Sequence, residues 1–170
     1  MAGMIAGRTA GDMPGLDIAE QRSWQNYLDS ALRMYATLNR SLVDAHHLTL
    51  NDVRLLDILD KSQGGSARMG DLAERLMSLP SRVTRQIRRL EVQHLVTRGA
   101  SPDDGRGVIA TITDDGRVAV REAMVTYGEG VRAHFLGRLS RPQIAAMGEN
   151  CRRISTALKN GSPPAKIGRV

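Results

Sequence analysis

From Asp17 onward, Trp24, Leu28, Ala31, Tyr35, Leu38 and Leu42 recur at alternating steps of four and three residues. That is the seam of a long helix packed against other helices, and it predicts one over about 17–46. A second seam closes the chain: Ile144, Met147, Cys151, Ile154 and Leu158, in a helix starting near Ser140 with Pro142 in its first turn. Between them Thr113 is a good N-cap for a helix carrying Val120, Ala123, Met124, Tyr127, Val131 and Phe135 or Leu136. Three such segments set a mostly α chain.

The middle is built from shorter pieces. Thr49 is an N-cap, and Val53, Leu56 and Leu59 mark one face of a helix ending before Gln63, Gly64 and Gly65. A short helix over about 70–77 turns Leu72, Ala73 and Leu76 inward, and Ser78 to Pro80 break the chain before the next element. That next helix, Pro80 to about Gln93, has Val83, Ile87 and Leu90 as its core stripe. At about 100° per residue, Ser81, Arg85 and Arg88 fall nearly opposite, with Arg82 and Arg89 on the flank, so one face packs and the other is basic. Leu95 to Arg98 and Val108 to Ile112, separated by the turn-rich 99–107, read as a β-hairpin with a long polar loop, a wing.

Composition narrows the function. A chain of 170 residues holds one compact domain, or a small domain with a helical appendage. Lys plus Arg outnumber Asp plus Glu by 24 to 18, and the sequence pI near 10.2 makes a polyanion a reasonable partner. Only Lys61, Lys159 and Lys166 are Lys, leaving Arg, the side chain suited to forked contacts with phosphate and guanine edges. A single cysteine, Cys151, excludes a disulfide framework and a Cys-rich zinc site, and its place on an apolar seam argues against redox sensing. No signal sequence or membrane span is evident, so a soluble cytoplasmic protein is expected. There is no nucleophile elbow, phosphate-cradling glycine loop or His-Glu-x-x-His. Neither an enzyme nor a cofactor or metal is therefore expected. His46 and His47 point about 100° apart on a helix, which suits a helix end better than a shared metal.

Three motifs occur in order: Gly-Asp-Leu-Ala-Glu-Arg-Leu (70–76), Ser-Arg-Val-Thr-Arg (81–85) leading into Arg-Leu-Glu (89–91), and Asp-Asp-Gly-Arg-Gly-Val (103–108) before Thr-Asp-Asp-Gly-Arg (113–117). Over about 30–125 the chain resembles the MarR family of winged helix-turn-helix transcriptional regulators. The resemblance implies a homodimer whose first, fifth and sixth helices intertwine, presenting two winged helices to a pseudo-palindromic stretch of double-stranded DNA. The seams agree, since the wing-bearing core is too small to cover a helix such as 140–159. The implied layout is a lead-in at 1–16, a dimerisation helix at 17–48, the winged helix-turn-helix domain at 49–112, dimerisation helices at 113–160 and a tail at 161–170.

For DNA binding the resemblance points to Ser81, Arg82, Thr84 and Arg85 at the start of the recognition helix, Arg85 being the foremost candidate for a guanine. Asp104 and Arg106 match an Asp-x-Arg element in which the Asp steadies an Arg that enters the minor groove. Arg88 and Arg89 extend the basic face; Arg88 stands where the family commonly has an acidic residue. His94 stands where relatives usually carry Gly in a left-handed conformation. The family is often a repressor released by a small aromatic or phenolic effector, for which Tyr35, Leu42, His46, His47, Met124 and Tyr127 are candidates by helix order. The competing reading is a winged-helix module for protein or RNA contacts without operator binding.

Overall fold

The computed structural model describes residues 13–100 and 107–161. Among these it holds six α-helices and three strands: α1 (Ile18–His46), α2 (Leu50–Asp60), β1 (Ser66–Arg68), α3 (Met69–Arg75), α4 (Pro80–Val92), β2 (Val96–Ala100), β3 (Val108–Ile112), α5 (Asp114–His134) and α6 (Arg141–Lys159). The mostly helical plan with a small sheet is the one expected. The helix starts follow their caps. Asp17, Thr49 and Ser140 form capping boxes with Glu20, Asp52 and Gln143, and the Thr113 hydroxyl accepts from the Gly116 N–H.

The hairpin acquires a third strand that periodicity did not reveal. Ser66–Arg68 pairs antiparallel with the far edge of β3, giving the order β1-β3-β2. Three residues are too few to show alternation, and the pairing is chosen across some forty residues of chain. The short third helix also ends earlier than its apolar residues suggest, at Arg75, with Met77 turned to φ +51.

One core unites these pieces. Leu42, Leu55, Leu56, Leu59, Leu72, Val83, Ile87, Leu90, Val96 and Ala110 are buried in it, with Val120 and Ala123 contributed by α5. Gly116 lets α5 cross close over the end of β2, because a Cβ there would lie 2.1 Å from the Leu95 carbonyl oxygen. An ion pair from Arg117 to Asp60 joins the start of α5 to the end of α2.

The α1 seam divides in two. Leu38 and Leu42 are buried in the protomer, whereas Trp24, Tyr27, Leu28, Leu32 and Tyr35 stay exposed. Helix α6 buries no residue at all, and its Ile154 and Leu158 face outward. Its one perturbed pair, Glu149 and Arg152, is superficial: the hydrogen bond from Arg152 holds the Glu149 carboxyl below its ordinary range. No helix among the described residues is long and apolar enough to cross a membrane.

Candidate nucleic-acid interface

Helices α3 and α4 form the helix-turn-helix, and α4 is its amphipathic half. Val83, Ile87 and Leu90 are fully buried, while Ser81, Arg82, Arg85, Arg88 and Arg89 are exposed. Thr84 is half-buried, its hydroxyl donating to the Pro80 carbonyl at 3.0 Å. Burial of three large aliphatic side chains fixes which side of the helix turns out. The basic face is thus a consequence of the apolar stripe.

A polar contact then locks that orientation. Asp52, 1% exposed, accepts from the Thr49 N–H at 2.8 Å, the Thr49 hydroxyl at 2.6 Å and Gln86 Nε2 at 3.0 Å. Both its oxygens also accept from the Arg89 guanidinium. One carboxylate therefore completes the capping box of α2 and grips α4 at two positions a turn apart. Arg89, placed on the DNA-facing flank by sequence, has half its side chain exposed and the rest engaged on Asp52. Asp52 was not singled out from the sequence: as the N3 residue of a capping box it reads as a local feature, and its partners lie over thirty residues away.

Both ends of α4 are set by backbone geometry. Pro80 occupies the first turn, where its missing N–H costs nothing. At the far end His94 takes φ +59; its N–H donates to the Glu91 carbonyl, and the Leu95 N–H reaches back to Leu90 at 3.0 Å. This is a Schellman ending with histidine where glycine is commonest. From the hairpin, Arg98 of β2 forks onto Glu91 at 2.6 and 2.8 Å, tying the hairpin to α4. Asp104 and Arg106, assigned to the minor groove by resemblance, lie outside the described residues.

The six residues considered for an effector do not converge. Leu42 is fully buried in the core of the protomer; helix order alone does not tell an inner from an outer position. His46 is bonded to the Thr126 hydroxyl at 2.7 Å, bridging α1 and α5. His47 ends α1 in the left-handed conformation, Tyr127 packs on the core, and Met124 is exposed on α5. Tyr35 is different. With Asn39 of α1 and Asn51 of α2 it faces Arg82, Arg85 and Arg89 of α4 across a cleft of about 460 Å³.

Known proteins bear on this arrangement. Residues 48–108 match the model of the MarR family. No curated protein matches the chain. AbsC, a MarR family transcriptional regulator from Streptomyces coelicolor, superposes with a TM-score of 0.80 at 29% identity, over 87% of this chain and 99% of that one. Sco3205, a MarR family transcriptional regulator from the same organism solved in complex with DNA, also gives 0.80, at 28% identity over 89% and 96%. BpsR of Bordetella bronchiseptica, whose DNA binding is regulated by 6-hydroxynicotinic acid, shares the fold at 23% identity and a TM-score of 0.69, over 79% and 98%.

Proposed function

We propose that the chain is a MarR family transcriptional regulator, a reading supported by the match of residues 48–108 and by the superposition on AbsC and Sco3205, and that it binds a pseudo-palindromic operator as a homodimer, with α4 in the major groove and the wing at the adjacent minor groove. The observation that carries this is the outer face of α4, where Ser81, Arg82, Arg85 and Arg88 stand exposed on a helix anchored by Val83, Ile87, Leu90 and the Asp52 grip. In helix-turn-helix proteins the N-terminal residues of the second helix lie over base edges. Arg85 is the reader: a forked contact to guanine discriminates by about 1–3 kcal/mol. Arg89 acts mainly by holding α4 to α2. Arg106 enters the minor groove with Asp104 steadying it, an assignment supported by the resemblance alone.

Dimerisation follows from the uncovered surface. The N-terminal half of the α1 seam and, on α6, Ile154 and Leu158 leave large apolar side chains in water, and a second copy offers the same surface in return. We assign the effector site to the cleft beside Tyr35, where Arg82, Arg85 and Arg89 suit a small aromatic acid. Occupation would take Arg82 and Arg85 from the DNA, so the regulator acts as a repressor released by its ligand.

A titration of the duplex upstream of the gene, at several salt concentrations, tests the reading. Wild type binds it over random duplex, Arg85→Ala loses most of that preference, and Arg106→Ala lowers the salt slope by about one unit. Equal affinity for both duplexes contradicts operator recognition and favours a protein- or RNA-binding module.

A further inference from the structure

The turn into α4 carries apolar surface that the basic face leaves unused. Met77 and Leu79 are 82% and 61% exposed, on either side of Ser78. Leu79 is moreover the N-cap of α4, a position where Ser, Thr, Asn or Asp would satisfy a free N–H, and it makes no side-chain cap bond. The sequence forgoes a stabilising cap and places a branched apolar group in water at the tip of the helix. Met77, Leu79 and Pro80 line a shallow depression against Gly70 and Glu74 of α3, and Arg82 forms its rim. Arg82 also lines the basic cleft, so the apolar patch runs directly into the proposed DNA face.

We propose that Leu79, with Met77 beside it, reads thymine by packing on its 5-methyl group, a specificity-determining contact next to the polar readout by Arg85. The inference rests on α4 entering the major groove. There thymine presents a methyl that no other base has, and an apolar side chain is its complement. The N-terminal end of the recognition helix is the part that lies over base edges, and Leu79 immediately precedes it. A thymine preference at positions flanking the Arg85 contact follows.

The experiment uses duplexes enriched by the full-length wild-type protein from a random-sequence library, and the same duplexes with every thymine replaced by deoxyuridine. Base pairing is unchanged and only the methyls are lost. Wild type binds the thymine form better, by about fourfold for each methyl that Leu79 covers, the factor equivalent to about 0.8 kcal/mol per buried carbon. Leu79→Ala reduces the thymine-to-uracil ratio by that factor, and Leu79→Met, of similar volume, retains it. The same ratio in wild type and Leu79→Ala overturns the proposal, as does a wild-type ratio of one, while operator binding by Arg85 stands. Failure of the wild-type protein to enrich any sequence overturns the operator reading and this contact together. Thermal unfolding of Leu79→Ala near the wild-type midpoint, expected for so exposed a side chain, confirms that binding and not folding has changed.

Discussion

Replacing Asp52 with Ala removes, at one stroke, the reciprocal half of the α2 capping box and the anchor of α4, while Thr49 remains the N-cap. The carboxylate is buried and accepts from Thr49 twice, from Gln86 and from Arg89. Losing the capping half is worth about 1 kcal/mol. Charge-assisted hydrogen bonds contribute roughly 1.5–3 kcal/mol each in favourable cases. Breaking a fully buried ion pair costs about 3–5 kcal/mol, but Arg89 is half exposed and recovers solvation when its partner goes, so the lower end applies. A total near 3 kcal/mol is expected, or a fall in Tm of roughly 6–12 °C for a chain of this size. Thermal and urea unfolding at one fixed protein concentration measure it, since the stability of the proposed dimer depends on concentration. Arg89→Leu strands the buried carboxylate and costs a similar amount, and the double variant loses much less than the two losses added. A loss below about 1 kcal/mol for Asp52→Ala, or additive losses to within ~0.5 kcal/mol, refutes the anchoring argument. The same logic separates Arg89 from Arg85 on DNA. Arg89→Gln weakens binding with its salt slope kept, whereas loss of a true phosphate contact lowers the slope by about one unit.

Three further outcomes follow from particular positions. Gly116→Ala, which in an open helix would add about 1 kcal/mol of stability, instead destabilises by roughly 1–3 kcal/mol, because the added Cβ meets the Leu95 carbonyl; a raised Tm would contradict that close approach. His94→Gly relieves a left-handed histidine and raises stability by up to about 1 kcal/mol in urea unfolding, with DNA affinity kept; a destabilised protein would mean that the imidazole contributes something beyond the turn. Ile154→Glu with Leu158→Glu places charge on the exposed α6 seam, and sedimentation should show a dimer converted to monomer; an unchanged dimer moves the interface elsewhere.

What the sequence made legible was local. Helix starts follow from Asp17, Thr49, Thr113 and Ser140, because a cap and its N3 residue are neighbours in the chain, and the α4 stripe follows from period alone. His94 stands where the resemblance puts glycine, which left the end of α4 open; the structure keeps the left-handed conformation, held by the Leu95 to Leu90 bond. Hidden were the pairings made between separate elements. Nothing in the spacing says that Asp52 meets Arg89, that Glu91 meets Arg98, or that Ser66–Arg68 joins the hairpin. Leu42 and Tyr35, seven residues apart on one seam, looked alike as ligand-lining candidates. Only packing puts the first in the core and the second at the basic cleft.

The most direct test of a dimer reading DNA through α4 is a footprint on the duplex flanking the gene. Two protected half-sites, related by a pseudo-two-fold axis and one helical turn or a small multiple apart, are the predicted result, and Arg85→Ala should abolish both together. A single protected half-site, or uniform coverage that salt removes without leaving a preferred position, would contradict the account.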